Sequence, residues 1–257
     1  MSVQACADIV AKADPDRFAA TMAAPVEARK TLFPLYAFNA EVTKAAWIAS
    51  EPMIGEMRLQ WWRDALEEIA KGGPVRKHEV ATPLAEALTL EAAKALDKLV
   101  QARRWDLYKD PFEDADHLLE YLAATGGALM WAAAHCFGAR STDAEECVRG
   151  VGQVAAFVRF MAAVPELEAQ GRVPLLDGRP SGVAMLAERI WGLQPTRQAL
   201  KQHVTKAQKV AFLEGWQAPV LFARIVKKPT IVAEGQVKMS EFEKRVRLLK
   251  ASVFGVL

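Results

Sequence analysis

The segment A-F-N-A-E-V-T-K-A-A-W, residues 37–47, sets Asn39, Glu41, Thr43 and Lys44 among apolar residues at helical spacing. Polar groups inside a buried helix either line a site or are what is left of one. A second run, D-L-Y-K-D-P-F-E-D-A-D, puts Asp106 and Asp110 one helical turn apart. Carboxylates at that spacing can share Mg²⁺ when diphosphate oxygens complete its shell. Glu113, Asp114 and Asp116 fall instead at the first turn of the next helix, where acids offset the helix dipole. We read the whole run as solvated charge. Arg159 lies on one helical face with Gly152, Ala155 or Ala156, and Ala163. If that face points inward, its guanidinium needs an anionic partner from the protein or from a ligand. If the helix end twists outward, it reaches water.

Two further stretches bear on a binding site. In R-L-Q-W-W-R-D-A-L, Trp61 flanks the apolar stripe together with Arg58, so it either walls a pocket or packs under a neighbouring helix. In Y-L-A-A-T-G-G-A-L-M-W, Gly126 and Gly127 stand inside a helix, where each costs about 1 kcal/mol relative to alanine. Gly150, Gly152, Ala155 and Ala156 repeat the theme. Such residues let two helices approach closely or leave a long apolar tunnel between them. Phe38, Trp47, Trp61, Phe157 and Phe160 are bulky enough to fill that tunnel.

Other chemistries find no pattern. Cys6, Cys136 and Cys147 form no paired framework and are read as reduced thiols, Cys136 packed in a helix. The four histidines are scattered without metal-ligand spacing. No Gly-rich phosphate loop follows a strand, and GxSxG is absent.

The elements that must position these residues are helical. Ala, Leu, Glu and Lys dominate and alternating β-branched runs are missing. Asp14-Pro15 and Thr82-Pro83 read as helix starts. Residues 26–48 carry Leu32, Leu35, Val42 and Ala46 at helical spacing, with a break or kink expected near Phe33 because of Pro34. Helices are expected over 54–70, 90–108, 113–137 and 143–164, the last stopping before Pro165. G-R-V-P-L-L-D-G-R-P-S-G, residues 171–182, is the clearest loop. Shorter helices follow near 183–191, 196–214 and 216–226. A last helix opens with Ser240 and Glu243 at capping-box spacing and buries Phe242, Val246, Leu249 and Val253.

The chain of 257 residues is 52% apolar and 25% charged, which suits one all-α domain over 1–257 with a sizeable core. MSVQACADIV is too short for a leader and contains Asp8, and no apolar run reaches bilayer-crossing length, so a cytoplasmic protein is expected. Net charge is +2, but from Arg197 to the end 12 Lys or Arg stand against 4 Asp or Glu. That basic third suits an anionic membrane surface, an acidic partner or simply a solvated face. Nucleic acid is set aside, because no stacking aromatics interleave the basic residues.

Read together, D-R-F-A-A-T-M-A-A-P, R-K-T-L-F-P-L-Y-A-F-N-A-E, R-L-Q-W-W-R-D-A-L, Y-L-A-A-T-G-G-A-L-M and G-R-V-P-L-L resemble the squalene/phytoene synthase family in order and spacing, over residues 16–190. The resemblance implies an isoprenoid-synthase-type helical bundle with a central apolar cavity for two prenyl chains. It also implies head-to-head joining of prenyl diphosphates, with Mg²⁺ held by two aspartate-rich motifs on facing helices. On that pattern the first motif falls on Thr43, Lys44 and Trp47, and the acids of the second on Ala163 and Leu167, with Glu166 nearby. Neither set suits a hard cation, and Lys44 puts positive charge where Mg²⁺ would sit. A-F-N-A-E and V-R-F-M-A-A-V-P-E-L-E-A-Q-G-R-V-P-L-L resemble a non-catalytic-looking branch that includes an assembly factor of mitochondrial complex I.

The expectation is therefore a catalytically degenerate member without catalytic residues, metal or cofactor. It would act as an assembly protein, with respiratory complex I as the implied partner, or as an isoprenoid or lipid binder. Peripheral contact with the inner membrane would run through the basic C-terminal region. Phe38, Asn39, Lys44, Arg58, Trp61, Gly126, Gly127, Arg159 and Arg172 are the candidate cavity residues. The alternative is an active prenyltransferase whose Mg²⁺ takes ligands from Asp64, Asp106, Asp110 and Glu166.

Overall fold

Helix caps written into the sequence divide the chain. The computed structural model describes residues 2–48 and 51–256, the side chains of Ala46 and Ile48 excepted, so the expected core role of Ala46 lies outside the described residues. The Ser2 hydroxyl accepts the Ala5 N–H and opens α1 (Val3–Ala13). Asp14 caps α2 (Pro15–Ala23), with Pro15 at the first helical position. Next come α3 (Val26–Ile48) and α4 (Pro52–Lys71), the latter ended by Gly72 at φ +67°. Then α5 (Ala81–Ala87) and α6 (Leu90–Ala102) lead into a 3₁₀ segment, Arg103–Leu107. A π-helical turn, Ala123–Gly127, joins α7 (Ala115–Leu122) to α8 (Ala128–Cys136). Beyond α9 (Thr142–Ala169) lie α10 (Pro180–Trp191), α11 (Arg197–His203) and a 3₁₀ segment, Gln208–Gly215. The chain closes with α12 (Ala218–Lys227) and α13 (Glu241–Phe254). No strand occurs among the described residues, so the all-α class holds.

At the centre, α3 packs against α1, α2, α4 and α5. Every residue from Leu32 to Asn39 is buried. That all-round burial explains why the helix runs unbroken through Pro34, against the expected break. Tertiary packing outweighs the roughly 3 kcal/mol that an internal proline costs. Helix α9 likewise continues through Pro165 to Ala169 instead of stopping before it, here with Val164 and Leu167 buried and Glu166 and Glu168 exposed. On length and hydropathy alone α9 could cross a membrane, which the sequence reading did not foresee, but two-thirds of its apolar window is buried inside the fold. It is a core helix.

Three other expectations change. The 196–214 helix is split at Val204 into α11 and a 3₁₀ segment. Thr82-Pro83 lies just inside α5, which begins at Ala81 with Val80 as its cap. In α13 the apolar stripe does not face the core. Phe242, Leu249 and Val253 are exposed, and Ala251 is the residue that is buried. One apolar core links the elements from Cys6 to Ala251.

The small residues let the π-helical turn and α9 touch backbone to backbone. A Cβ on Gly152 would lie 2.7 Å from the Gly126 carbonyl oxygen and 2.9 Å from the Gly127 Cα. One on Gly126 would meet the Ala156 Cβ at 2.4 Å. Close approach is thus their main use. Gly152→Ala is expected to cost about 1–3 kcal/mol through overpacking, despite alanine's better helix propensity. Gly73→Ala, with nothing within 4 Å of its added Cβ, should be close to neutral. Thermal or urea unfolding of both variants measures this, and equal stability would show that the contact is dispensable.

Candidate functional site

A cavity of about 890 Å³ opens beside α3 and α9. Lys12, Glu79, Lys44 and Trp47 stand at its exposed rim. Its walls descend past Trp105, Phe160 and Ala163 to a buried end at Leu122, Thr125 and Leu129. The π-helical turn contributes Thr125 and Gly126 to that end.

Two buried charge clusters shape the wall. In the first, Glu214 is 1% exposed and accepts from two arginines. Arg17 donates through Nε at 2.9 Å and Nη2 at 2.7 Å, and Arg159 through Nη1 at 3.1 Å. Arg159 also donates to the Glu214 backbone carbonyl. Arg17 Nη1 reaches Asp14 Oδ2 at 2.8 Å, and its guanidinium lies over the Tyr36 ring. Burial works against the charge on Arg17, but Glu214 and Asp14 outweigh it and strengthen its hold on the proton. Burial also raises the Asp14 carboxyl. Arg17, Arg159, the Arg17 N–H and Lys244 together overcome this and hold it below its ordinary value. Burial, then Glu214, pushes the Tyr36 phenol well up, so it stays neutral.

In the second cluster, Asp106 is 2% exposed. Its Oδ2 accepts from Arg103 Nη1 at 2.9 Å and its Oδ1 from the Tyr121 hydroxyl at 2.8 Å. Arg172 donates to the carbonyls of Asp106 and Tyr108, and its guanidinium stacks over Trp47 and Trp105. Arg103 Nε and Trp105 Nε1 are buried donors with no hydrogen-bond partner among the described residues. Both residues line the cavity.

These clusters decide where the sequence candidates stand. Asn39, Lys44, Gly126 and Arg159 line the cavity. Thr43 and Trp47 from the first expected motif position, and Ala163 and Leu167 from the second, line it too, so the fold does bring those two segments to one space. Glu166 is exposed and does not line it. Phe38 is fully buried, edge-on against Trp62, and belongs to the core. Phe157 is also fully buried, its ring tilted against Phe222. Of the bulky residues expected to fill the tunnel, Trp47 and Phe160 alone reach its wall, which leaves it open.

Arg58 and Trp61 face a separate outer groove, where the Arg76 guanidinium covers Trp61. Gly127 sits against α9, 3.4 Å from the Arg149 carbonyl once given a Cβ. Arg172 braces the rim and does not line the wall. Asp106 and Asp110 share nothing: Asp106 is buried against Arg103, and Asp110 is exposed. The reading of Asp106 as solvated charge is therefore corrected. Asp64 pairs with Gln60 and the Arg76 side outside the cavity.

Lys44 is 58% exposed and pairs loosely with Glu41 at 3.7 Å. The anion that Arg159 requires is Glu214, 55 residues away in sequence. Sequence reasoning missed Arg17, Glu214, Arg103 and Tyr121. Arg17 stands within D-R-F-A-A, whose signal is its place in the order of family-like segments; nothing local marks Glu214. Of the thiols, Cys6 is pushed up to about 11 by burial and Glu79, so it is no nucleophile at neutral pH.

With this geometry in place, comparison with known proteins is informative. The squalene/phytoene synthase family profile matches residues 10–175. Complex I assembly factor 6 of Bos taurus is 25% identical over 183 residues, covering 70% of this chain and 54% of the bovine protein. The Drosophila melanogaster homolog is 26% identical over 166 residues, covering 62% of this chain and 50% of its own length. The chain thus spans about half the length of the curated relatives it matches. A dehydrosqualene synthase solved with a ligand superposes with a TM-score of 0.74 at 15% identity, covering 98% of this chain and 95% of that one. That likeness carries the fold.

The first cluster sets two expectations. Glu214→Ala leaves Arg17 buried and half-paired and should cost about 3–5 kcal/mol in urea unfolding. Arg159→Ala, at a side chain 37% exposed, should cost about 1 kcal/mol. Comparable losses would refute the central place of Glu214. The Asp14 carboxyl titrates lower in the fold than in the unfolded chain, so its contribution is present above the unfolded value and fades as pH falls through the folded one. Asp14→Asn should flatten the acid limb of the stability–pH curve below about pH 4. An unchanged limb would show that Asp14 does not supply it.

Proposed function

We propose that this chain, which belongs to the squalene/phytoene synthase family, keeps the family's cavity without its ionising chemistry and works as an assembly protein for a respiratory complex. One observation carries the reading. At the positions where the family resemblance puts the two acidic motifs, the cavity wall presents Thr43, Lys44, Trp47, Ala163 and Leu167. These residues do not fit Mg²⁺, which takes carboxylate and phosphate oxygens. Of the acids that reach the wall, Asp14 is engaged by Arg17, Asp106 by Arg103 and Tyr121, and Glu41 by Lys44, while Glu79 at the exposed rim is a single carboxylate outside both motif positions. Of the cations, Arg159 is neutralised by Glu214. Holding a diphosphate is not the same as expelling it, since binding that is equal in ground and transition states gives no acceleration.

The named relatives, complex I assembly factors, support a role in building such a complex; we place the chain at the face of a respiratory membrane as part of this reading. The cavity then serves to hold an isoprenoid or other long amphiphile. Its deep end is apolar, and the unpartnered Arg103 Nε and Trp105 Nε1 offer donors to a polar head.

Purified protein given farnesyl or geranylgeranyl diphosphate with Mg²⁺ and NADPH should form no head-to-head product. A strain lacking the gene should lose assembled complex I on native gels and recover it with the wild-type chain. Clear product formation, or unchanged complex I, would overturn the reading. Native mass spectrometry of the protein as isolated reads cavity occupancy separately.

A further inference from the structure

The outward stripe of α13 has no structural task in the fold. The helix is held from its other side: Ala251 is buried, Lys244 Nζ lies 3.1 Å from Asp16 Oδ1, and Glu243 takes Arg224 at 2.6 Å. Phe242, Val246, Leu249 and Val253 recur at i, i+4, i+7 and i+11, on the face opposite Ala251. Phe242 is 77% exposed and Phe254, just beyond the stripe, 83%. Arg245 and Lys250 flank the stripe on its two sides.

Beside the C-terminal end of α13 runs a groove of about 440 Å³. Val253 and Phe254 form one side, and Leu200 and Val210 contribute apolar wall. Arg197, Lys201, Lys206 and Lys209 also line it, and no carboxylate does among the described residues. The local charge is not compensated elsewhere. From Arg197 onward, Glu214 is taken by Arg17 and Arg159, Glu234 by Lys228, Glu241 by Lys244 and Glu243 by Arg224. The four groove cations, with Arg245 and Lys250, have no carboxylate partner among the described residues.

We propose that this face docks on a bilayer containing anionic phospholipid, with the α13 stripe in the interfacial layer and the groove cations on headgroup phosphates. Protruding apolar side chains flanked by cations are what an interfacial helix requires. Most of the groove cations are lysines, point charges on flexible stems, which suit a laterally mobile array of phosphates better than the fixed carboxylates of a protein surface. The inference rests on the assembly reading only for placing the chain beside a membrane, and the groove shares no residue with the central cavity.

Flotation with vesicles of phosphatidylcholine, alone or mixed with phosphatidylglycerol, tests it on the purified chain without any respiratory subunit. Its failure therefore leaves the assembly reading standing. Binding is expected to the mixed vesicles alone and to fall as salt shortens the screening length. Lys201→Ala and Lys209→Ala should each weaken it about fivefold. Phe242→Ser with Leu249→Ser, both at exposed positions, should weaken it further without lowering the melting temperature. Equal binding to both vesicle types, or binding to neither, would overturn the proposal. Binding of soluble polyglutamate in place of vesicles would also overturn it, in favour of an acidic protein surface.

Discussion

A single buried carboxylate, Glu214, holds three distant parts of the chain together. It draws Arg17 from α2 and Arg159 from α9 onto the 3₁₀ segment at Gln208–Gly215. Removing Glu214 and Arg17 from water is costly, and the cost is offset only if each finds its partner at good distance, with Arg159 adding a half-exposed third charge. That condition fixes how α2 and α9 each sit against the 3₁₀ segment, and Arg17 and Arg159 carry it to the cavity wall. The bonds from Arg17 to Asp14 extend the network to the α2 cap, so helix initiation and tertiary placement depend on the same arginine.

The cavity itself comes from a second constraint, the contact between the π-helical turn and α9. Glycines at 126 and 152 allow the backbones to meet. The extra residue of a π turn also shifts the faces of α7 and α8 relative to each other. Thr125 and Gly126 are thereby delivered to the wall. The two readings of the small residues, close approach and open space, are therefore both realised, a few ångströms apart. The cavity stays open because Phe38 and Phe157 turn into the core and Arg172 clasps Trp47 and Trp105 at the rim.

Charge is distributed with the same economy. The acids of the C-terminal third are taken up in ion pairs, which leaves the surface of that third basic. The outer face of that third, whose acids are all paired, keeps a field set by its remaining cations.

Much of this protein was legible from the chain alone. Helical periodicity, the caps at Asp14 and Ser240, and the family-like segments determine an all-α bundle, because those signals are local and repeat. Asn39, Lys44 and Arg159, on helices, and Gly126, on the π-helical turn, line the cavity. Tertiary structure alone decided the rest. Pro34 does not break its helix, since burial on every side outweighs a lost hydrogen bond, and α9 runs on through Pro165 with Val164 and Leu167 buried on one face. Glu214 and Asp106 become the keystones of buried networks through partners that local spacing cannot supply. The stripe of α13 turns outward, because periodicity tells which residues share a face but not what that face meets.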